Sequence, residues 1–138
     1  MSARYSKRSL SEKLGIKEGM SIVVVNAPEQ YLDALGKLPR NVSITCEVKD
    51  PSKLIHFFAT KKQELESGFP KLTSRLAVDG AFWVSWPKRS SGVETDLNEN
   101  VVREIGLRNG LVDVKVAAID KTWSGLKFVH RLKDRKQS

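Results

Sequence analysis

The polar and apolar positions of this chain fall into short blocks whose period switches between strand and helix. Ser21-Ile22-Val23-Val24-Val25 is a continuous β-branched run. A strand apolar on both faces belongs in the middle of a parallel sheet with helices on each side. Lys53 to Ala59 and Ala81 to Trp86 repeat the pattern and predict two more buried strands, and Val42 to Glu47 predicts a shorter one. Between them, Tyr31, Leu32 and Leu35 form one helical stripe, and Leu65, Phe69, Leu72 and Leu76 form another. Pro70 inside the second stripe predicts a break after Gly68 and a restart. Val101, Val102 and Ile105 mark a third helix, with Gly110 as its stop. Val112, Val114 and Val116 alternate with Asp113 and Lys115 as in a half-exposed strand, and Leu126 and Phe128 return after a turn at Asp120.

Cap signals punctuate these blocks. Ser9 and Glu12, Thr60 and Gln63, and Asp96 and Glu99 each have capping-box spacing, and Gly15 ends the first short helix. The early strand–helix alternation requires right-handed crossovers and parallel pairing, while the short last turn requires an antiparallel pair. The expected fold is therefore α/β: a three-layer, Rossmann-like sandwich on a mostly parallel six-stranded sheet with an antiparallel C-terminal strand pair.

Length and charge narrow this further. The 138 residues suit a single domain over 1–138. No apolar run is long enough for a membrane span or a signal-peptide core. The lone Cys46 excludes an intrachain disulfide and reads as a small core hydrophobe, which makes a reducing cytoplasm the expected compartment. The net charge of +8 is concentrated near the ends, with Arg4, Lys7, Arg8, Lys13 and Lys17 at one and Arg131, Lys133, Arg135 and Lys136 at the other. Residues 1–8 and 133–138 are expected to be flexible basic ends, through which the chain could associate with nucleic acid in a salt-dependent way.

Chemistry-bearing residues are few. In an open α/β sheet the C-terminal strand ends form one ligand-binding rim. Here that rim would gather Asn26, Glu47, Thr60 with Lys61, and the loop Lys88-Arg89-Ser90-Ser91. Two cations and two hydroxyls ahead of a helix near Thr95 suit a small anionic ligand. His56 lies within a strand and is expected to be a buried neutral imidazole held by a backbone carbonyl. Metal spacing is absent, and no serine sits in a glycine-flanked elbow. Trp83 and Trp86 fall on opposite faces of one strand and belong to the core.

Two segments carry a family resemblance. Leu14 to Val25 resembles the entry to the first strand of class I S-adenosylmethionine-dependent methyltransferases, and Leu72 to Pro87 resembles that family's helix D and fifth strand. The closing pair resembles its sixth and seventh strands. The resemblance implies an adenosyl cofactor, with Glu47 placed to bind its ribose. The family's glycine-rich loop is replaced by Asn26-Ala27-Pro28-Glu29-Gln30, and the chain between Glu47 and Leu54 is too short for the usual helix–strand–helix. The pattern thus resembles a shortened relative and is similar to small bacterial proteins grouped as a domain of unknown function. These departures set the expectation of a non-catalytic binding domain without a cofactor, taking a small anion at Lys88–Ser91. A divergent S-adenosylmethionine-dependent methyltransferase is the alternative reading, and a nucleic-acid-associated protein is the third.

Overall fold

A computed structural model describes residues 9–48 and 51–135. Six strands form one sheet: β1 (Ser21–Val25), β2 (Ser43–Thr45), β3 (Ser52–Phe58), β4 (Leu76–Pro87), β5 (Leu111–Ala118) and β6 (Trp123–His130). Their spatial order is β2-β1-β3-β4-β6-β5. The first four pair in parallel, and β6 pairs antiparallel with both β4 and β5. The expected α/β architecture is what the chain adopts.

Two cores flank the sheet. On one face, Leu65, Phe69 and Leu72 of helix α3 (Lys62–Thr73) and Val102 and Ile105 of α4 (Glu99–Arg108) pack on Ile55, Phe57, Phe82, Val84 and Phe128. On the other, α1 (Leu10–Leu14) and α2 (Tyr31–Leu35) pack Leu10, Leu14, Tyr31 and Leu35 on Ile22, Val24, Leu54 and Trp83. Alternation along β1 therefore sends Val23 to one core and Ile22 and Val24 to the other.

Several local expectations shift. The α1 capping box forms between Ser9 and Glu12, with Gly15 in the left-handed region at φ 86°. In α2, Leu32 points outward, and only Tyr31 and Leu35 are buried. Helix α3 runs unbroken through Gly68 and Pro70. Pro70 lies on the exposed side, and Gly68 faces Phe57 so closely that a Cβ would stand 2.7 Å from its ring. Leu76 belongs to β4 rather than to the helix. Beyond β6, Leu132–Arg135 form a short helix, α5, where a frayed end was expected. Residues 1–8 and 136–138, the remainder of the basic ends, lie outside the described residues.

Neither of the two later capping boxes forms between the residues whose spacing implied it. Glu64 accepts from the Thr60 N–H at 3.0 Å, and Asp96 accepts from the Lys62 N–H at 2.7 Å. Asp96 thus caps α3 across 34 residues, and α4 is capped by Asn98, which accepts from the Val101 N–H. Asp96→Ala should cost about 1 kcal/mol, the usual worth of such a cap, read as a lowered urea midpoint at unchanged slope.

The connection from β2 to β3 shapes the candidate site. The chain must return from Thr45, level with Val23, to Ser52, and cross β1 on the way. Two strand spacings amount to about 10 Å, and the seven peptide steps span at most about 24 Å. Because β2 is only three residues long, so short a connection suffices. Val48 on this strap packs into the α3-side core, and grooves stay open on either side of it.

Candidate functional site

The rim at the C-terminal ends of β1 to β4 contains the topological switch point. From β1 the chain steps to β2 on one side and returns to β3 on the other, so a crevice opens between the ends of β1 and β3. Asn26 leaves β1 with φ 60°. Asparagine tolerates this left-handed conformation better than other side chains except glycine, so it makes the sharp turn that a glycine would otherwise make. The turn opens a groove of about 670 Å³ bounded by β1, the strap and α3. Val25, Val48, Phe57 and Leu72 form its apolar walls, with Asn26 and Glu64 at the rim end and Lys71 and Arg75 at the other.

The predicted residues divide among several surroundings. Asn26 lines the groove. Glu47 is exposed, stands between the lining residues Cys46 and Val48, and donates its backbone N–H to the Thr45 hydroxyl. Cys46 is exposed on the short edge strand's extension rather than in the core. Thr60 gives its N–H to Glu64 and its carbonyl to the Thr95 hydroxyl, and Lys61 is the N-cap residue of α3. At the end of β4, Lys88 donates its N–H to the Thr122 carbonyl, and Arg89–Ser91 form one turn of 3₁₀ helix. The Ser91 hydroxyl donates to the Lys88 carbonyl and accepts from the Val93 N–H, while Ser90 is exposed. Arg89 lines a separate cleft together with Glu94 and Asp96. The rim therefore orders these residues along the sheet, with Asn26 and Arg89 in different clefts.

His56 is fully buried on β3, and its partners differ from the expected backbone carbonyl. Nδ1 lies 2.8 Å from the Tyr31 hydroxyl and Nε2 lies 2.7 Å from the Ser85 hydroxyl. A neutral imidazole has one donor and one acceptor, and two reversible hydroxyls satisfy both in either tautomer. The ring also stacks on Phe58, with centroids 4.2 Å apart, and Tyr31 meets it edge-on. Burial pushes the His56 pKa down to about 3 and raises that of the Tyr31 phenol. The imidazole is fully buried between the two hydroxyls and serves to join α2, β3 and β4. Period-2 alternation places Ser85 on the same face as Trp83, the one sequence signal for this contact.

The groove walls themselves carried no chemical motif, which is why Val48, Glu64, Lys71 and Arg75 escaped the sequence reading. Among the described residues, no group of three or more His, Cys, Asp or Glu is gathered to hold a metal, and no helix is long and apolar enough to cross a membrane.

No protein-family model matches the chain, and no curated protein matches it in sequence. Solved structures do match in shape. An S-adenosylmethionine-dependent methyltransferase from Aquifex aeolicus is 16% identical with a TM-score of 0.59, over 85% of each chain. A TehB-like S-adenosylmethionine-dependent methyltransferase from Corynebacterium glutamicum is 11% identical with a TM-score of 0.58, over 94% of this chain and 91% of that one. Magnesium protoporphyrin IX methyltransferase from Synechocystis, solved with bound S-adenosylhomocysteine, is 11% identical with a TM-score of 0.57, over 88% and 78%. The fold is that of the class I methyltransferases. At these identities the likeness concerns the fold, and the resemblance of Leu14–Val25 and Leu72–Pro87 is to that fold.

Proposed function

We propose that this domain binds an adenosyl ligand of the S-adenosylmethionine class at the switch point between β1 and β3, as a divergent methyltransferase. The observation that carries the reading is the state of the rim. The Lys62 N–H that opens α3, where a phosphate would otherwise be drawn, is already taken by the carboxylate of Asp96, and the carboxylate of Glu64 takes the Thr60 N–H just ahead of the helix. An added phosphate would have to displace them. A sulfonium ligand is cationic at its reactive atom and is favoured by the same carboxylates.

The residues present fit the adenosyl portion. Asn26 makes the turn that lets the chain leave β1 beneath a ligand, and exposed Glu47 and Glu64 offer acceptors for ribose hydroxyls. Helix α2 has only five residues and adds little dipole, so the side chains and the loop at 26–30 carry recognition. This reading reverses the expectation of no cofactor and is supported by neighbours of the same fold solved with S-adenosylhomocysteine or S-adenosylmethionine bound. Such a ligand supplies an activated methyl group. This chain's own residues would bind and orient it, and the acceptor, which is itself the nucleophile, would attack without His56 as a base, because His56 is sealed in the core.

Thermal unfolding tests the proposal. S-adenosylhomocysteine at 100 times its dissociation constant should add about 2.7 kcal/mol, or roughly 9 °C at this chain length. Asn26→Gly should keep the shift and Asn26→Val should lose it, because a β-branched residue resists positive φ. No shift with either adenosyl compound, or a larger shift with pyrophosphate, would sink the reading.

A further inference from the structure

The groove beneath the rim has a polarity that the adenosyl site does not use. Along α3, Glu64 stands at the end near Asn26, while Lys71 and Arg75 stand at the opposite end. Nine helical steps separate Glu64 from Thr73 at the end of α3, about 14 Å at 1.5 Å per residue, and Arg75 follows just past the C-cap Ser74. Between them the walls are apolar, formed by Val25, Val48, Phe57 and Leu72. Lys53, Arg103 and Arg108 are paired with Asp79, with Glu99 and Asp113, and with Glu66 respectively. Lys71 and Arg75 have no ion-pair partner among the described residues.

We infer that this groove binds an organic acid with an apolar body, its carboxylate at Lys71 and Arg75 and its uncharged end at the rim beside Asn26. The charges select this orientation. A carboxylate placed at the rim end would meet Glu64, whereas at the far end it meets two cations, one of them a guanidinium able to bind both of its oxygens. The body replaces water against the apolar walls and covers sheet surface that stays open beside Val48. A groove of this size accommodates a two-ring or medium-chain acid. As the acceptor substrate, such an acid would present its far end to the methyl donor, and that role rests on the adenosyl reading. Binding itself does not depend on it.

The test measures binding of 2-naphthoate and decanoate by calorimetry, with 2-naphthylmethanol and decanol as neutral counterparts. The carboxylates should bind at least tenfold more tightly than the alcohols. Lys71→Ala with Arg75→Ala should remove that advantage, whereas Lys88→Ala with Arg89→Ala, which lowers the net charge equally, should leave it intact. Ser67→Trp should block both acids, because exposed Ser67 lines the groove away from the rim. Equal weakening by the two double variants, equal binding of acid and alcohol, or undisturbed binding in Ser67→Trp would each overturn the inference. If the acids bind as expected while S-adenosylhomocysteine gives no shift, the groove stands and the adenosyl reading falls. The converse result removes the groove and leaves the adenosyl reading.

Discussion

Lowering the pH from 7 to 4 should destabilise this domain by about 3 kcal/mol through His56 alone. In the unfolded chain the imidazole takes up a proton below its ordinary pKa of about 6.5. In the folded protein burial holds that pKa down to about 3, so the native state stays unprotonated across the interval. The unfolded state then binds more protons, and stability falls as the pH drops through 6.5 and continues to fall until about 3. Every group facing the ring is uncharged in this range: Tyr31 from α2, Phe58 from its own strand, and Ser85 and Trp83 from β4. Among the described residues no carboxylate neighbours the ring to stabilise an imidazolium. Urea midpoints at pH 7, 5.5 and 4 would show the loss. His56→Gln keeps a donor and an acceptor without titrating, so its midpoints should fall much less over the same interval. Equal falls in the two proteins would show that His56 is not the source.

That relay matters for the proposed site because of where its ends lie. Tyr31 opens α2 directly after the loop at 26–30, and Ser85 is two residues before Pro87, where β4 gives way to the Lys88–Ser91 turn. One buried imidazole therefore holds both sides of the rim to β3. Acid should loosen adenosyl binding and the fold together.

The parts of the fold that were legible from the sequence are those set by local chemistry. The β-branched run at Ser21–Val25 could only be a doubly buried strand, and Ser9 with Glu12 closed the capping box its spacing implied. The parts that were not legible depend on partners distant in the chain. Asp96 has cap spacing with Glu99, yet its carboxylate is taken by the Lys62 N–H, 34 residues away. Leu76 continues the α3 spacing but is drawn into β4, where it pairs with Ser52. Pro70 looked like a break, but it sits on the exposed side of a helix whose Leu65, Phe69 and Leu72 are anchored in the core. Tertiary burial outweighs one lost helical hydrogen bond there. The same limit applied to the site. Asn26 could be placed from the end of β1, but β2 stops at Thr45, two residues short of Glu47, and the groove is empty space left by a short connection, which leaves no mark on a sequence.

Trp83→Ala should be among the most damaging single substitutions, costing about 4 kcal/mol. The indole is fully buried at the centre of the α1–α2 core, in register with His56 on β3 and Lys127 on β6. Its Nε1–H donates to the Leu14 carbonyl at 3.1 Å, satisfying an acceptor that the end of α1 leaves open. Gly125 on β6 leaves space shared by Ile119 and the indole, since a Cβ there would stand 2.8 Å from Ile119 and 3.2 Å from the Trp83 ring. Truncation to alanine leaves a large cavity and an unpaired carbonyl at once. Trp83→Phe retains most of the packing and loses the hydrogen bond, so about 1–2 kcal/mol is expected. Urea unfolding followed by far-ultraviolet circular dichroism separates the two contributions without relying on the lost fluorophore. Equal losses in the two variants would mean that the bond to Leu14, rather than the volume of the indole, fixes α1 to the sheet. The N-terminal helix would then be held mainly by a single polar contact.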